Sequence, residues 1–104
     1  MEKSRANILW VDDEIDHLKP HILFLEEKGY TISTATNGGD AVSLVESSAF
    51  DLILLDQTMP GIDGLETLKR IKAIHADIPT IMITKSEDEW LMDAAISDYI
   101  SQLL

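Results

Sequence analysis

Asp12, Asp13, Asp56 and Thr84 are the side chains of this chain best suited to joint chemistry. Each follows a short apolar run: residues 8–11 before the acid pair, 52–55 before Asp56, and 81–83 before Thr84. Such runs read as buried parallel strands. In an open α/β sheet the strand C-termini form the rim where ligands bind. The fold would then gather acids that stand more than forty residues apart in sequence. Clustered carboxylates repel one another and call for a hard divalent cation, with Mg2+ the first candidate. A strand-end carboxylate beside that ion can act as a nucleophile and form an aspartyl phosphate. Phosphoryl transfer of this kind depends mostly on positioning and charge neutralisation. Two carboxylates and one backbone carbonyl suit an octahedral Mg2+ that keeps some of its waters. The Thr84 hydroxyl could donate to a phosphoryl oxygen, and a lysine would complete the charge balance.

The elements that must position these groups alternate along the chain. Residues 8–11 form the first strand. Residues 16–28 place Leu18, Ile22 and Leu25 on one helical face, with Asp16 as the N-cap, Pro20 in the first turn and Gly29 as the stop. Residues 30–36 form a thinner strand, Asn37-Gly38-Gly39 a turn, and residues 40–47 a short helix. The most apolar strand, residues 52–55, belongs at the centre. The tight loop 59–64 follows, and Leu65, Leu68, Ile71 and Ile74 make an amphipathic stripe. Pro79 ends that helix, and residues 80–84 form a fourth strand. Ser86 and Glu89 suggest a capping box, and residues 99–104 begin a fifth strand. Alternation at this spacing implies right-handed βαβ crossovers and a parallel sheet covered on both faces.

At 104 residues the chain makes one domain, with enough apolar content (45 %) for a single core rich in Ile, Leu, Val and Ala. It has no cysteine, which excludes disulfides and thiolate zinc sites. Its apolar runs are too short to span a bilayer, and its N-terminus lacks the apolar segment of a secretion signal. A cytoplasmic location is the expectation. The net charge of −11 argues against nucleic-acid binding, which needs Lys and Arg at the phosphates.

The segments ILWVDDE, DLILLDQTMPGIDG and IPTIMITKSE closely resemble the receiver domain of bacterial two-component response regulators, and the resemblance covers essentially the whole chain. It implies a flavodoxin-like, doubly wound parallel sheet of five strands in the order 2-1-3-4-5. It implies that Asp56 is the phosphoacceptor and that Asp13 and Asp56 ligate Mg2+ directly, with Asp12 acting mainly through water. Thr58 matches the residue whose backbone carbonyl ligates the metal. Thr84 matches the hydroxyl that moves towards the phosphoryl group. Lys85 departs from the small residue usual there and adds positive charge. The family lysine is absent: spacing from Thr84 puts it beyond Leu104, or else Gln102 replaces it. The aromatic switch position falls on Leu103. The same resemblance implies a truncated chain, lacking the last helix and any output domain, that is prone to self-association. The implied partners are a sensor histidine kinase or phosphotransfer protein and an output domain or partner protein, with no nucleic acid or membrane contacted. LKPHILFLEEKGY, TNGGDA and MITKSEDEWLMDAAI further resemble receivers fused to a PglZ-type domain of the alkaline-phosphatase superfamily.

Plainer roles compete at several positions. Asp12-Asp13-Glu14 could simply cap a helix. Asp51 and Asp63 read as turn formers, and Gly64 as a close-packing residue at a helix start. His17 and His21 have metal-ligand spacing but no third ligand, so both read as surface residues. His75 suits a helix C-terminus. Trp90, Leu91 and Ile96 serve either a core or a partner face. Two rival functions remain: a haloacid-dehalogenase-like phosphatase, which would want an acid where Thr58 stands, and an interaction module that takes no phosphoryl group.

Overall fold

The computed structural model describes residues 6–83. Four parallel strands, β1 (Asn7–Val11), β2 (Thr31–Ala35), β3 (Leu52–Asp56) and β4 (Thr80–Ile83), form one sheet in the order β2-β1-β3-β4. Between them run a 3-10 turn (Ile15–Leu18) and the helices α1 (Lys19–Glu27), α2 (Gly38–Ser47) and α3 (Gly64–Ile74). The predicted doubly wound parallel architecture is present. The predicted fifth strand and the helix after Ser86 lie outside the described residues.

Strand alternation divides the core in two. Ile8, Trp10, Leu52 and Leu54 pack with Leu25 and Tyr30 on the α1 side. Leu9, Val11, Ile53 and Leu55 pack with Ala41, Val45 and Ile71 on the side of α2 and α3. All five residues of β3 are buried, as its unbroken apolar run requires of a central strand.

Several local expectations need correction. Asp16 does not cap α1. It lies inside the 3-10 turn, and the helix proper starts at Lys19 with no side-chain cap, because Pro20 occupies its first turn. Asn37-Gly38-Gly39 is more than a turn. Asn37 Oδ1 accepts from the Asp40 N–H at 2.8 Å and caps α2, which begins at Gly38. Along α3 the buried residues are Gly64, Thr67 and Ile71, whereas Leu65 is 55 % exposed. The apolar stripe read from Leu65 is therefore rotated by part of a turn, because small residues are needed where α3 starts against β3. His21 is buried, not at the surface, since it lies one helical turn from Leu25 on the inward face of α1.

Candidate metal and phosphoryl site

The C-terminal ends of β1 and β3 lie side by side, in register from Ile8 opposite Leu52 to Val11 opposite Leu55. Continuing both strands brings Asp12-Asp13 beside Asp56. One carboxylate oxygen from each of the three acids lies within 4.8 Å of the others. Asp12 and Asp56 are 7 % and 2 % exposed, and Asp13 is more open.

Local backbone bonds aim these side chains. Asp12 N–H donates to Ala35 O at 3.0 Å, tying the end of β1 to the end of β2. Asp12 Oδ1 accepts from Glu14 N–H at 2.8 Å. Asp56 Oδ1 accepts from Thr58 N–H at 3.2 Å, which turns the chain away from the sheet directly after β3. Gln57 N–H donates to Ile83 O at 3.1 Å, fixing the neighbouring end of β4. Trp10 and Leu54 are register partners two residues before Asp12 and Asp56, so the fully buried indole lies on the same sheet face, one pleat from the acids.

The 57–64 loop closes through Gly64 N–H, which donates to Gln57 O at 3.1 Å. Gly64 must be small. A Cβ there would stand 2.5 Å from Asp56 O and 2.8 Å from Gln57 Cα. The close-packing role expected of it is therefore the observed one. Asp63 is a helix cap, its Oδ1 accepting from Glu66 N–H at 2.9 Å. Asp51 clasps the start of β1, accepting from Asn7 N–H at 2.8 Å. His75 is the C-cap of α3.

The donor set fits Mg2+. All three groups are hard oxygens, and opposite ligands of an octahedral Mg2+ stand about 4.2 Å apart. Adjacent ligands stand about 3.0 Å apart, so a bound ion would draw the three oxygens inward from separations of up to 4.8 Å. Thr58 is at the mouth of the site, on the loop beside Asp56. Thr84, Lys85, Gln102, Leu103, Trp90, Leu91 and Ile96 lie outside the described residues. An open hollow of about 350 Å3, lined by Glu46, Phe50, His75 and Ile78 among others, lies at the opposite rim and shares no residue with the acids.

Two packing residues near the site escaped sequence analysis. Thr67 is fully buried, and Gly38 approaches it across the α2–α3 contact. Asp63, expected to be a turn former, is instead the N-cap of α3; its spacing three residues before Glu66 is the signal that could have shown this.

Comparison with known proteins agrees with this geometry. Residues 8–104 match the family model of the response regulator receiver domain. The transcriptional regulatory protein ZraR of Salmonella typhimurium is 38 % identical over 84 residues, covering 81 % of this chain and 19 % of ZraR. The chain thus spans about a fifth of that relative's length. Response regulator protein TrrA from Thermotoga maritima, in complex with Mg(2+)-BeF, is 31 % identical with a TM-score of 0.79, covering 94 % of this chain and 98 % of that one. A structure of histidine kinase ThkA in complex with TrrA matches with a TM-score of 0.81 at 31 % identity, covering 94 % of this chain and 97 % of the matched one. The matched family, the parallel α/β sheet and the acids gathered at its rim agree: this chain belongs to the receiver domains of two-component response regulators.

Proposed function

We propose that Asp56 accepts a phosphoryl group from a sensor histidine kinase or phosphotransfer protein, with Mg2+ held by Asp13, Asp56 and the Thr58 carbonyl and by Asp12 mainly through water. The observation that carries this is the meeting of three carboxylates within 4.8 Å at the strand ends, two of them buried. Bound there, Mg2+ would offset the repulsion among the acids and draw in the phosphoryl oxygens. An Asp56 carboxylate oxygen attacks phosphorus, the O–P bond forms, and the P–N bond to the donor imidazole breaks. The electron pair of that bond stays on the imidazole nitrogen, which takes a proton. The apolar core around Trp10 and Leu54, one pleat from the acids, lowers the local dielectric and strengthens electrostatics there.

The Thr84 hydroxyl then donates to a phosphoryl oxygen, and the added charge changes which partners the exposed face binds. The chain's own chemistry is self-phosphorylation and slow self-dephosphorylation. ThkA in complex with TrrA supports a kinase as the donor. The greater length of ZraR supports an output domain joined to this receiver in a longer cytoplasmic regulator. The segments similar to PglZ-fused receivers make an alkaline-phosphatase-like output the first class to seek.

The test is intact mass after incubation with acetyl phosphate, with and without Mg2+. A gain of one phosphoryl group that needs Mg2+ and is lost in Asp56→Asn is expected. A gain that persists in Asp56→Asn would refute the assignment of the acceptor.

A further inference from the structure

The 57–64 loop carries the Thr58 carbonyl, yet little of it is packed. Pro60 and Gly61 are exposed, and a Cβ on Gly61 would meet nothing within 4 Å. Two apolar side chains hold the loop down: Met59, buried in the core on the side of α2 and α3, and the half-buried Ile62. Ile62 faces the first residue of α2. A Cβ added to Gly38 would stand 2.6 Å from Ile62 Cγ1 and 2.8 Å from its Cδ1, and it would overlap Thr67 Oγ1 outright. That hydroxyl is itself committed, donating to Asp63 O at 2.7 Å at the end of the same loop.

Backbone conformation does not require glycine at position 38. The positive-φ glycines of the described residues are Gly29 and Gly61. Gly38 is small because α2 closes directly onto Ile62 and Thr67. We infer that Gly38 is a positioning residue for the metal site: the bare backbone at the α2 N-terminus presses on Ile62 and holds the loop so that the Thr58 backbone, whose N–H donates to Asp56 Oδ1, keeps its place beside Asp56. This rests on the Mg2+ reading proposed above. A methyl group at position 38 pushes Ile62 outward, and because Gly64 N–H anchors the far end of the loop to Gln57 O, the displacement falls on the residues between, Thr58 among them.

The test is Mg2+ titration by calorimetry on the wild type, Gly38→Ala, Gly39→Ala, Ile62→Ala and the Gly38→Ala/Ile62→Ala pair, each shown to be folded by circular dichroism. Groups that orient metal ligands typically change affinity by about 10–100-fold when altered. Gly38→Ala is expected to bind Mg2+ about 10-fold or more weakly. Gly39→Ala should match the wild type, since a Cβ there meets only Asn37 Oδ1 at 3.4 Å. Ile62→Ala removes the same contact from the loop side and should also weaken binding. The pair should be no weaker than Gly38→Ala alone, because both changes act through one contact. Wild-type affinity in a folded Gly38→Ala overturns the inference. If Gly38→Ala does not fold, wild-type affinity in Ile62→Ala overturns it instead. A wild type that binds no Mg2+ overturns the metal reading and this inference together.

Discussion

Replacing Gly64 by alanine tests whether the backbone of β3 and the start of α3 form one rigid support for the acceptor. The added Cβ would lie 2.5 Å from Asp56 O, 2.8 Å from Gln57 Cα and 2.8 Å from Met82 Cε. The methionine end can swing away, but the other two atoms belong to the backbone at the end of β3. Ordinary contact starts near 3.4 Å, so α3 and the strand end must separate by about 0.9 Å at the Asp56 carbonyl. Overpacking of this kind costs about 1–3 kcal/mol. Exchanging glycine for alanine in a helix returns at most about 1 kcal/mol. With the full return, a net loss of about 0–2 kcal/mol lowers Tm by up to roughly 16 °C in a domain of this size. The displaced atoms include the acceptor's own backbone, and a misplacement of about 1 Å can slow a positioned reaction by about 100-fold. Thermal melts and the rate of acetyl phosphate labelling, followed by intact mass below the melting range, read the two effects separately. A Gly64→Ala chain that melts within about 2 °C of the wild type and labels at its rate would refute the rigid-support argument.

Asn37→Ala removes the acceptor for the Asp40 N–H, which should cost about 1 kcal/mol and lower Tm by about 4–8 °C. Labelling measured where both proteins are folded should be unchanged, since the cap does not touch the acids. Asp13→Asn relieves repulsion in the cluster, so the metal-free protein should melt higher while the rise in Tm caused by Mg2+ is reduced or lost. A full Mg2+-induced rise in that variant would remove Asp13 from the ligand set. In a Trp90→Phe background, millimolar Mg2+ should change Trp10 emission, because the indole lies one pleat from Asp12. No change in folded protein would argue against metal at these acids.

The legible parts of the fold rest on short-range patterns. The runs 8–11 and 52–55 announced buried strands, and an acid at the end of each announced the rim of a parallel sheet. Pro20 and Gly29 bracketed α1, and the buried start of α3 was legible in Gly64. The errors came where local signals competed. Asp16 has the chemistry of a cap, but Pro20 delays regular helix until Lys19. Leu65 fits an apolar period, yet the helix turns Gly64 and Thr67 inward because only small side chains fit against the β3 end and the α2 start. His21 has metal-ligand spacing with His17, but its position one turn from Leu25 puts it in the core.

The sequence by itself determined the chemistry available: which carboxylates end strands, which loop follows the acceptor, and which family the segments belong to. Those properties follow from residue type, strand alternation and near-neighbour spacing, all written along the chain. Tertiary structure decided the distances. Asp12 and Asp56 meet because β1 and β3 pair in a register that ends level, with Val11 opposite Leu55. Gly38 meets Ile62 and Thr67 because two helices pack on the same face of that sheet. Such contacts join residues far apart in sequence and depend on the packing of the whole core, so no local pattern in the chain encodes them.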